Sequence, residues 1–452
     1  MKKLIVIGLV FSHLWNAQSV STKLDVEVNN LLKTDAAYSA NLSVYVADIN
    51  GNVVYEYQGN KGLSSASTQK IFSAASALET LGKDYRYTTL GAYSGIIREG
   101  ELNGDLYIHS NGDPTLGSWR YEGYTPENFR TKFLQAIQKL GVQKITGNIV
   151  IDDSYFDFQN VPGGWPWDDM GNYYGAGVWG VNWRENQFDL KMNGSDLQKT
   201  NIELPNVKWV SEVKAKGTSD QSLIFTAPHS DVALINGSLP AGKTMTVSGA
   251  TPNPPLALGY EIKEWLKTQK IVFNGQIVTA SGEKIKGTAI SSFPRNNTFF
   301  EYQSPTLDKI VYWFMRKSVN LYGETFVKTM AKQKSNEGSF GAGIKYMKNF
   351  WIGKGINSSM INFADGSGLS PQNYVSAKAE VQALLWSKKQ DWYPSFVEGF
   401  PTQNGMKMKS GTMRNTKSFA GYHNNYVFAI LVNNYQGGNV SEALFKVLNS
   451  LK

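Results

Sequence analysis

Apolar and polar positions change rhythm twice along this chain. Val26 to Lys33 repeats at helical spacing. Leu42 to Gln58 then alternates in two runs around Asn50-Gly51, which predicts a β-hairpin. The stretch "SSASTQKIFSAASALETLG" follows, Ser64 to Gly82. It predicts an amphipathic helix with Ile71, Phe72, Ala75 and Leu78 on one face and Gly82 as its stop. From Asp84 to Pro305 the texture is short strand-like runs between Gly and Asn turns, with one clear helix at Pro126 to Leu140. Helical spacing returns at Leu307, breaks near Ser318 to Asn320, resumes, and recurs at Ala377 to Trp386. The end reads as strand, strand, helix: "MKMKSGTM", "NYVFAILVNNY", then Ser441 to Leu451. These patterns predict one α/β (α+β) domain, residues 19–83 and 305–452, split by a mostly β insertion at 84–304 made of two small subdomains.

Length and composition fit that picture. The 452 residues exceed one simple core, and 41% hydrophobic with 13% aromatic residues is a globular balance. Met1 to Gln18, "MKKLIVIGLVFSHLWNAQ", has two lysines before an apolar run too short for a bilayer, which predicts a secretory signal peptide. No later run is apolar enough to span a membrane, so the mature chain is expected to be exported, periplasmic or otherwise extracytoplasmic, and soluble or loosely wall-associated. With no cysteine there is no disulfide to staple the fold. The net charge is +8, of which Lys2 and Lys3 account for two. That balance suits an anionic partner such as a wall polymer, and no basic run marks a nucleic-acid binder.

Several chemistries lack their residues. There is no G-x-S-x-G and no H-E-x-x-H. His109, His229 and His423 sit in no motif, and so few histidines with no cysteine leave no zinc pattern. A serine nucleophile without histidine needs another base. Lysine serves if burial or nearby positive charge keeps it neutral. Ser67 and Lys70, three apart at a helix start, are placed for this. The spacing alone is weak, since Ser211–Lys214 and Ser281–Lys284 share it and serine is a common helix cap.

Two further elements follow in order. Ser318 and Asn320 sit at the break between two helices, where a hydroxyl can relay protons and an amide can hold both Lys70 and a substrate carbonyl. Another S-x-N, Ser39–Asn41, precedes the serine–lysine pair. Lys409 to Thr412, "KSGT", is the only K-[ST]-G, and it falls on an expected strand. Lys409 is expected to depress the Lys70 pKa and attract a carboxylate, with Ser410 beside it. Gly411 is expected to let a substrate backbone lie close. The Ser67 and Thr412 N–H groups would form an oxyanion hole.

With these motifs the chain resembles the penicillin-recognising serine acyltransferases, and more narrowly the class C low-molecular-mass penicillin-binding proteins, the D-alanyl-D-alanine carboxypeptidase/endopeptidase family. "ASTQKIFSAASALETLG" is similar to the family's nucleophile helix. "GDPTLG", "GNIVIDDSYFD" and "GGWPWDDM" resemble its insertion landmarks, and "DGSGLS", Asp365 to Ser370, its signature before the last motif. Ser318 lies 251 residues after Ser67, a gap in keeping with the family's long insertion. Val319 stands where the family usually has Asp, and Ser410 where Thr is commoner.

The resemblance implies a penicillin-binding transpeptidase/β-lactamase-like domain with a five-stranded antiparallel sheet and helices. It implies removal of terminal D-Ala from peptidoglycan stem peptides, often with cleavage of crosslinks, acylation by β-lactam antibiotics, and no metal or organic cofactor. The expected chemistry is that of a serine DD-peptidase. Ser67 is the nucleophile and Lys70 its base, Ser318 and Asn320 relay protons and position the peptide, and Lys409, Ser410 and Thr412 hold the carboxylate side. The alternatives are a β-lactamase, which would need a deacylating base such as the acidic residue of an E-x-x-L-N loop, and a wall-binding protein with a vestigial site.

Overall fold

The computed structural model describes residues 19–452. The expected signal at 1–18 lies outside the described residues. Both ends of the chain build one antiparallel sheet. Its order is Val53–Tyr57, Asn41–Asp48, Tyr426–Asn433, Thr416–His423, Met406–Met413 and the two-residue Thr402–Gln403. The expected five strands thus carry a short sixth at one edge. The turn at Asn50-Gly51 closes the first hairpin, with Gly51 at φ +93°.

Tyr426–Asn433 shows why this sheet holds two layers apart. Val427, Ala429 and Leu431 face one core, and Phe428, Ile430 and Val432 face another. A strand buried on both faces reads as a continuous apolar run, not as alternation. One face is covered by the helices Val20–Leu32 and Val440–Asn449 through Leu24, Val28, Leu444 and Val447. The other is covered by Lys70–Leu81 and Ala377–Ser387, among others. The strand Thr416–His423 is absent from the sequence reading. Its buried centre is Ser418, Phe419, Ala420 and Gly421, too short an apolar signature to register. The helix Phe340–Gly353 also escaped that reading.

The nucleophile helix is more deeply placed than its pattern suggests. Every residue from Lys70 to Leu78 is buried, polar Ser73 and Ser76 included, and Gly82 ends it at φ +86°. Leu307–Lys317 and Asn320–Ser335 pack beside it, broken where expected.

The intervening segment leaves through Thr88–Tyr93 and returns through Thr298–Gln303, which pair antiparallel. Between them are two larger hydrophobic cores and a small cluster of Ala92, Tyr107 and Val150. The first gathers Ile108, Phe129, Phe133, Ile149, Trp183 and Leu258 under the helices Pro126–Lys139 and Pro254–Thr268. The second gathers Phe188, Leu190, Ile224, Ile235 and Val247 between short sheets.

Lys328 bolts this segment to the helix Asn320–Ser335. Its side chain is fully buried, and Nζ donates to Asp157 at 2.7 Å and to the Gln159 carbonyl. Its Nζ also lies 4.5 Å from the centre of the Phe340 ring. Lys328→Ala is expected to cost about 3 kcal/mol of unfolding free energy, the low end for breaking a buried pair, because Asp157 is part-exposed and can rehydrate. Denaturant titration checks it.

Candidate active site

Ser67 lies in a short 3-10 turn, Ala66–Gln69, and Lys70 begins the α-helix that follows. Ala66 holds φ +48°, a strained turn that presents the next residue at the helix mouth. Lys70 has no exposed surface. Its Nζ lies 3.0 Å from Ser67 Oγ, 2.7 Å from Asn320 Oδ1 and 2.7 Å from the Ser367 carbonyl. Two of these partners are acceptors only, and the third is a hydroxyl. A neutral amine has two N–H donors and one lone pair, so it satisfies both acceptors and leaves the lone pair for the Ser67 proton. Burial pushes the Lys70 pKa down to about 7, against the pull of Asp365 and Glu324.

Asn320 is the first residue of its helix, and Ser318 just before it is held in the left-handed region at φ +59°. Asn320 Nδ2 donates to the Tyr174 carbonyl at 2.8 Å. Ser318 lines the cleft but is not among the contacts of Lys70. Val319, where Asp was the expected residue, packs against the main core.

Lys409 to Thr412 lies on the strand Met406–Met413. A Cβ on Gly411 would come within 2.3 Å of the Ser65 carbonyl oxygen and 2.9 Å of Ser67 N. What presses on Gly411 from that side is the nucleophile loop, where a substrate backbone was expected. Lys409 is buried, and its Nζ donates to the Ser410 carbonyl at 2.8 Å. Burial, then repulsion from Lys70 and Lys417, pushes the Lys409 pKa well down. The Lys70 pKa is lowered chiefly by burial and its Nζ has three hydrogen-bond partners, while Lys409 Nζ has the Ser410 carbonyl. Ser410 Oγ accepts from Gln403 Nε2 at 3.3 Å and does not line the cleft. Thr412 does, and Lys417 Nζ donates to its hydroxyl at 2.7 Å. Ladder bonds alternate along an antiparallel edge. Met408 N donates outward to Pro401 O, so Thr412 N, four residues on, also points away from the neighbouring Thr416–His423 strand.

The cleft holds about 990 Å³. The catalytic sheet and helices supply Ser67, Ser318, Asn320, Thr412 and Arg414, and the insertion supplies Arg120, Asp168, Asp169, Tyr173 and Tyr174.

Support comes from residues that carried no assigned role in the sequence. Asp365 organises its loop, accepting from Gly368 N, Ser370 N and Asn373 Nδ2, and takes Trp165 Nε1 of the insertion at 2.9 Å. That loop delivers the Ser367 carbonyl to Lys70. Beneath Ser67, Thr68 Oγ1 faces Ser65 O at 2.9 Å, Ser418 Oγ at 3.2 Å and Glu380 Oε1 at 2.5 Å. Thr68 has one proton for three oxygens, so a protonated Glu380 that donates to it completes the set. Burial pushes the Glu380 pKa up to about 8.

The competing motifs separate cleanly. Ser211 and Lys214 lie on one strand, three apart and so on opposite faces. Lys284 is exposed. His109 pairs with Asp152, and His229 with Asn160. Neither these two nor His423 lines the cleft. Among the described residues no group of three or more His, Cys, Asp or Glu could hold a metal ion.

Residues 24–450 match the D-Ala-D-Ala carboxypeptidase 3 (S13) family. The chain is 25% identical to a D-alanyl-D-alanine carboxypeptidase of an Actinomadura species, over 92% of this chain and 82% of that one. It is 24% identical to the D-alanyl-D-alanine carboxypeptidase DacB of Haemophilus influenzae, over 97% and 95%. The crystal structure of penicillin binding protein 4 (dacB) from Haemophilus influenzae shares the fold, with TM-score 0.78 at 22% identity, covering 94% of this chain and 98% of that one.

Two outcomes follow from the packing under Ser67. Gly411→Ala is expected to push the strand off the nucleophile loop and lower the acylation rate of Ser67 by at least tenfold, read with a labelled β-lactam, because misplacement of about 1 Å can cost a hundredfold. Glu380 has a raised folded pKa, so its contribution is present below its unfolded pKa, near 4.3, and is lost as pH rises through about 8. Stability of the wild type should therefore fall across that window, and Glu380→Gln should flatten the slope, measured by thermal unfolding against pH.

Proposed function

The chain belongs to the D-Ala-D-Ala carboxypeptidase 3 (S13) family, and we propose that it is an extracytoplasmic serine DD-peptidase acting through a Ser67 acyl-enzyme. The observation that carries this reading is the convergence of Ser67, Asn320 and the Ser367 carbonyl on one buried lysine nitrogen. No other base is within reach of the Ser67 hydroxyl in that arrangement.

The substrate is a peptidoglycan stem peptide ending in D-Ala-D-Ala. Neutral Lys70 takes the Ser67 proton as Oγ attacks the penultimate carbonyl carbon. The developing oxyanion sits between the N–H groups of Ser67 and Thr412, dipoles already in place before charge appears. The proton returns through Ser318 to the leaving amine, and the C–N bond breaks. Ser318 bonds none of the three groups on Lys70, so this relay runs through bound substrate. Water then attacks the ester, with Lys70 as base again, and frees the shortened peptide. Thr412 and the Lys409 ammonium face the terminal carboxylate. Lys409 is disfavoured as a cation while the cleft is empty, and an arriving carboxylate reverses that balance. Ser410 supports this strand through Gln403, and Gly411 keeps it against Ser67.

A β-lactam acylates the same serine. We read the cleft of about 990 Å³, lined in part by the insertion, as roomy enough for a crosslinked peptide as well as a free one. We therefore assign endopeptidase as well as carboxypeptidase action. No helix among the described residues is long and apolar enough to cross a membrane.

Labelled penicillin is expected to mark the wild type and leave Ser67→Ala unmarked; labelling of that variant at another residue overturns the nucleophile assignment. Mass spectrometry of purified monomeric and crosslinked muropeptides should show loss of one D-Ala and conversion of dimers to monomers. Since Lys70 must be neutral to act, acylation should fall about tenfold per pH unit below an apparent pKa near 7 and level off above it. A rate independent of pH from 5 to 8 would exclude Lys70 as the base.

A further inference from the structure

The insertion grips the start of the Asn320 helix at two points. Tyr174 O accepts from Asn320 Nδ2 at 2.8 Å. Two residues along, Tyr322 OH donates to Glu185 Oε1 at 2.6 Å. Glu185 is 4% exposed. It also takes Arg120 Nε at 2.9 Å and Ser118 Oγ at 2.6 Å. Tyr121 OH adds a bond to Tyr322 OH at 3.2 Å.

The backbone that presents Glu185 is strained. Arg184, Glu185 and Asn186 are three consecutive non-glycine residues in the left-handed region, at φ +53°, +52° and +53°. Such strain persists only where the surroundings enforce it. Here they do. Asn186 Nδ2 binds Gly177 O at 2.7 Å, and the Arg184 guanidinium pairs with Glu261 at 3.0 Å.

An Asn amide is nearly symmetric in shape, so packing alone does not decide which end faces Lys70. A carbonyl can only accept. Tyr174 O therefore obliges Asn320 to turn its NH₂ toward the insertion and its oxygen toward Lys70. With the amide reversed, an N–H donor would face an amine that is itself donating.

We propose that the insertion is part of the acylating apparatus: the Tyr174 carbonyl sets the Asn320 amide, and Glu185 is a positioning residue that holds the first turn of that helix through Tyr322. This rests on the serine DD-peptidase reading, since Ser67 acylation is what is positioned.

The test uses the full chain and a fluorescent penicillin. The second-order acylation rate per active site is measured from pH 5 to 9, with active sites counted by endpoint labelling. Glu185→Ala and Tyr322→Phe are expected to slow acylation by about tenfold or more while endpoint labelling still reaches completion. Glu185→Gln should restore most of the rate, because its amide oxygen still accepts from Tyr322. Loosening Asn320 removes an acceptor that favours the Lys70 ammonium, so the acid limb should move to lower pH in the slow variants. Gly175→Ala approaches the other contact, because its Cβ would meet Asp169 O at 2.0 Å and displace the Tyr174 turn; the same slowing and shift are expected. Rates within twofold of wild type and an unmoved acid limb, even with a lowered melting temperature, overturn the proposal and make Glu185 purely structural. A wild type that penicillin fails to label would instead overturn the DD-peptidase reading, and this inference with it.

Discussion

Everything at this site depends on burying an amine without leaving it charged. An unpaired ammonium in a protein interior costs several kcal/mol, and the group escapes that cost by losing its proton. A neutral amine still needs its two N–H groups satisfied and its lone pair directed. Asn320 Oδ1 and Ser367 O meet the first need, and Ser67 Oγ meets the second. The sheet, the Asp365 loop and the insertion can be read as what it takes to bring two of those oxygens to the nitrogen from 250 and 297 residues away in sequence, beside a serine only three residues off.

The motifs were legible because their chemistry resides in side chains. Ser67, Lys70 and Asn320 name themselves by type and order, and the strand bearing Lys409 shows in its alternation. Ser67–Lys70 differs from Ser281–Lys284 through burial and partners, which spacing cannot encode. Two oxygens that order the site, those of Ser367 and Tyr174, belong to the main chain, and a carbonyl leaves no trace in residue identity.

The same distinction explains the fold. Several helices with an exposed face and the strand buried on both sides were readable, because burial writes itself as periodicity or as an apolar run, although the helices Phe340–Gly353 and Pro254–Thr268 were missed. Thr416–His423 was not readable. A central strand pressed against the nucleophile loop must keep small residues where bulk would help recognition, and Ser418 is spent on a bond to Ser65 O at 2.6 Å. Gly411 obeys the same constraint from the next strand. Close approach at the site is obtained with residues that predict strand weakly.

The carboxyls around Lys70 complete the electrostatic argument. An ionised Glu324 beside the amine would hold a proton on it and remove the base. Glu324 is fully buried, and its bond from Gly366 N at 2.9 Å does not offset the loss of solvent. Burial first, then Asp365, pushes its pKa up to about 8, so burial favours the neutral carboxyl just as it favours the neutral amine of Lys70. Exposing Glu324 to water would favour its carboxylate and, with it, the Lys70 ammonium. Dry packing on this helix is therefore a chemical requirement of the base as well as a source of stability.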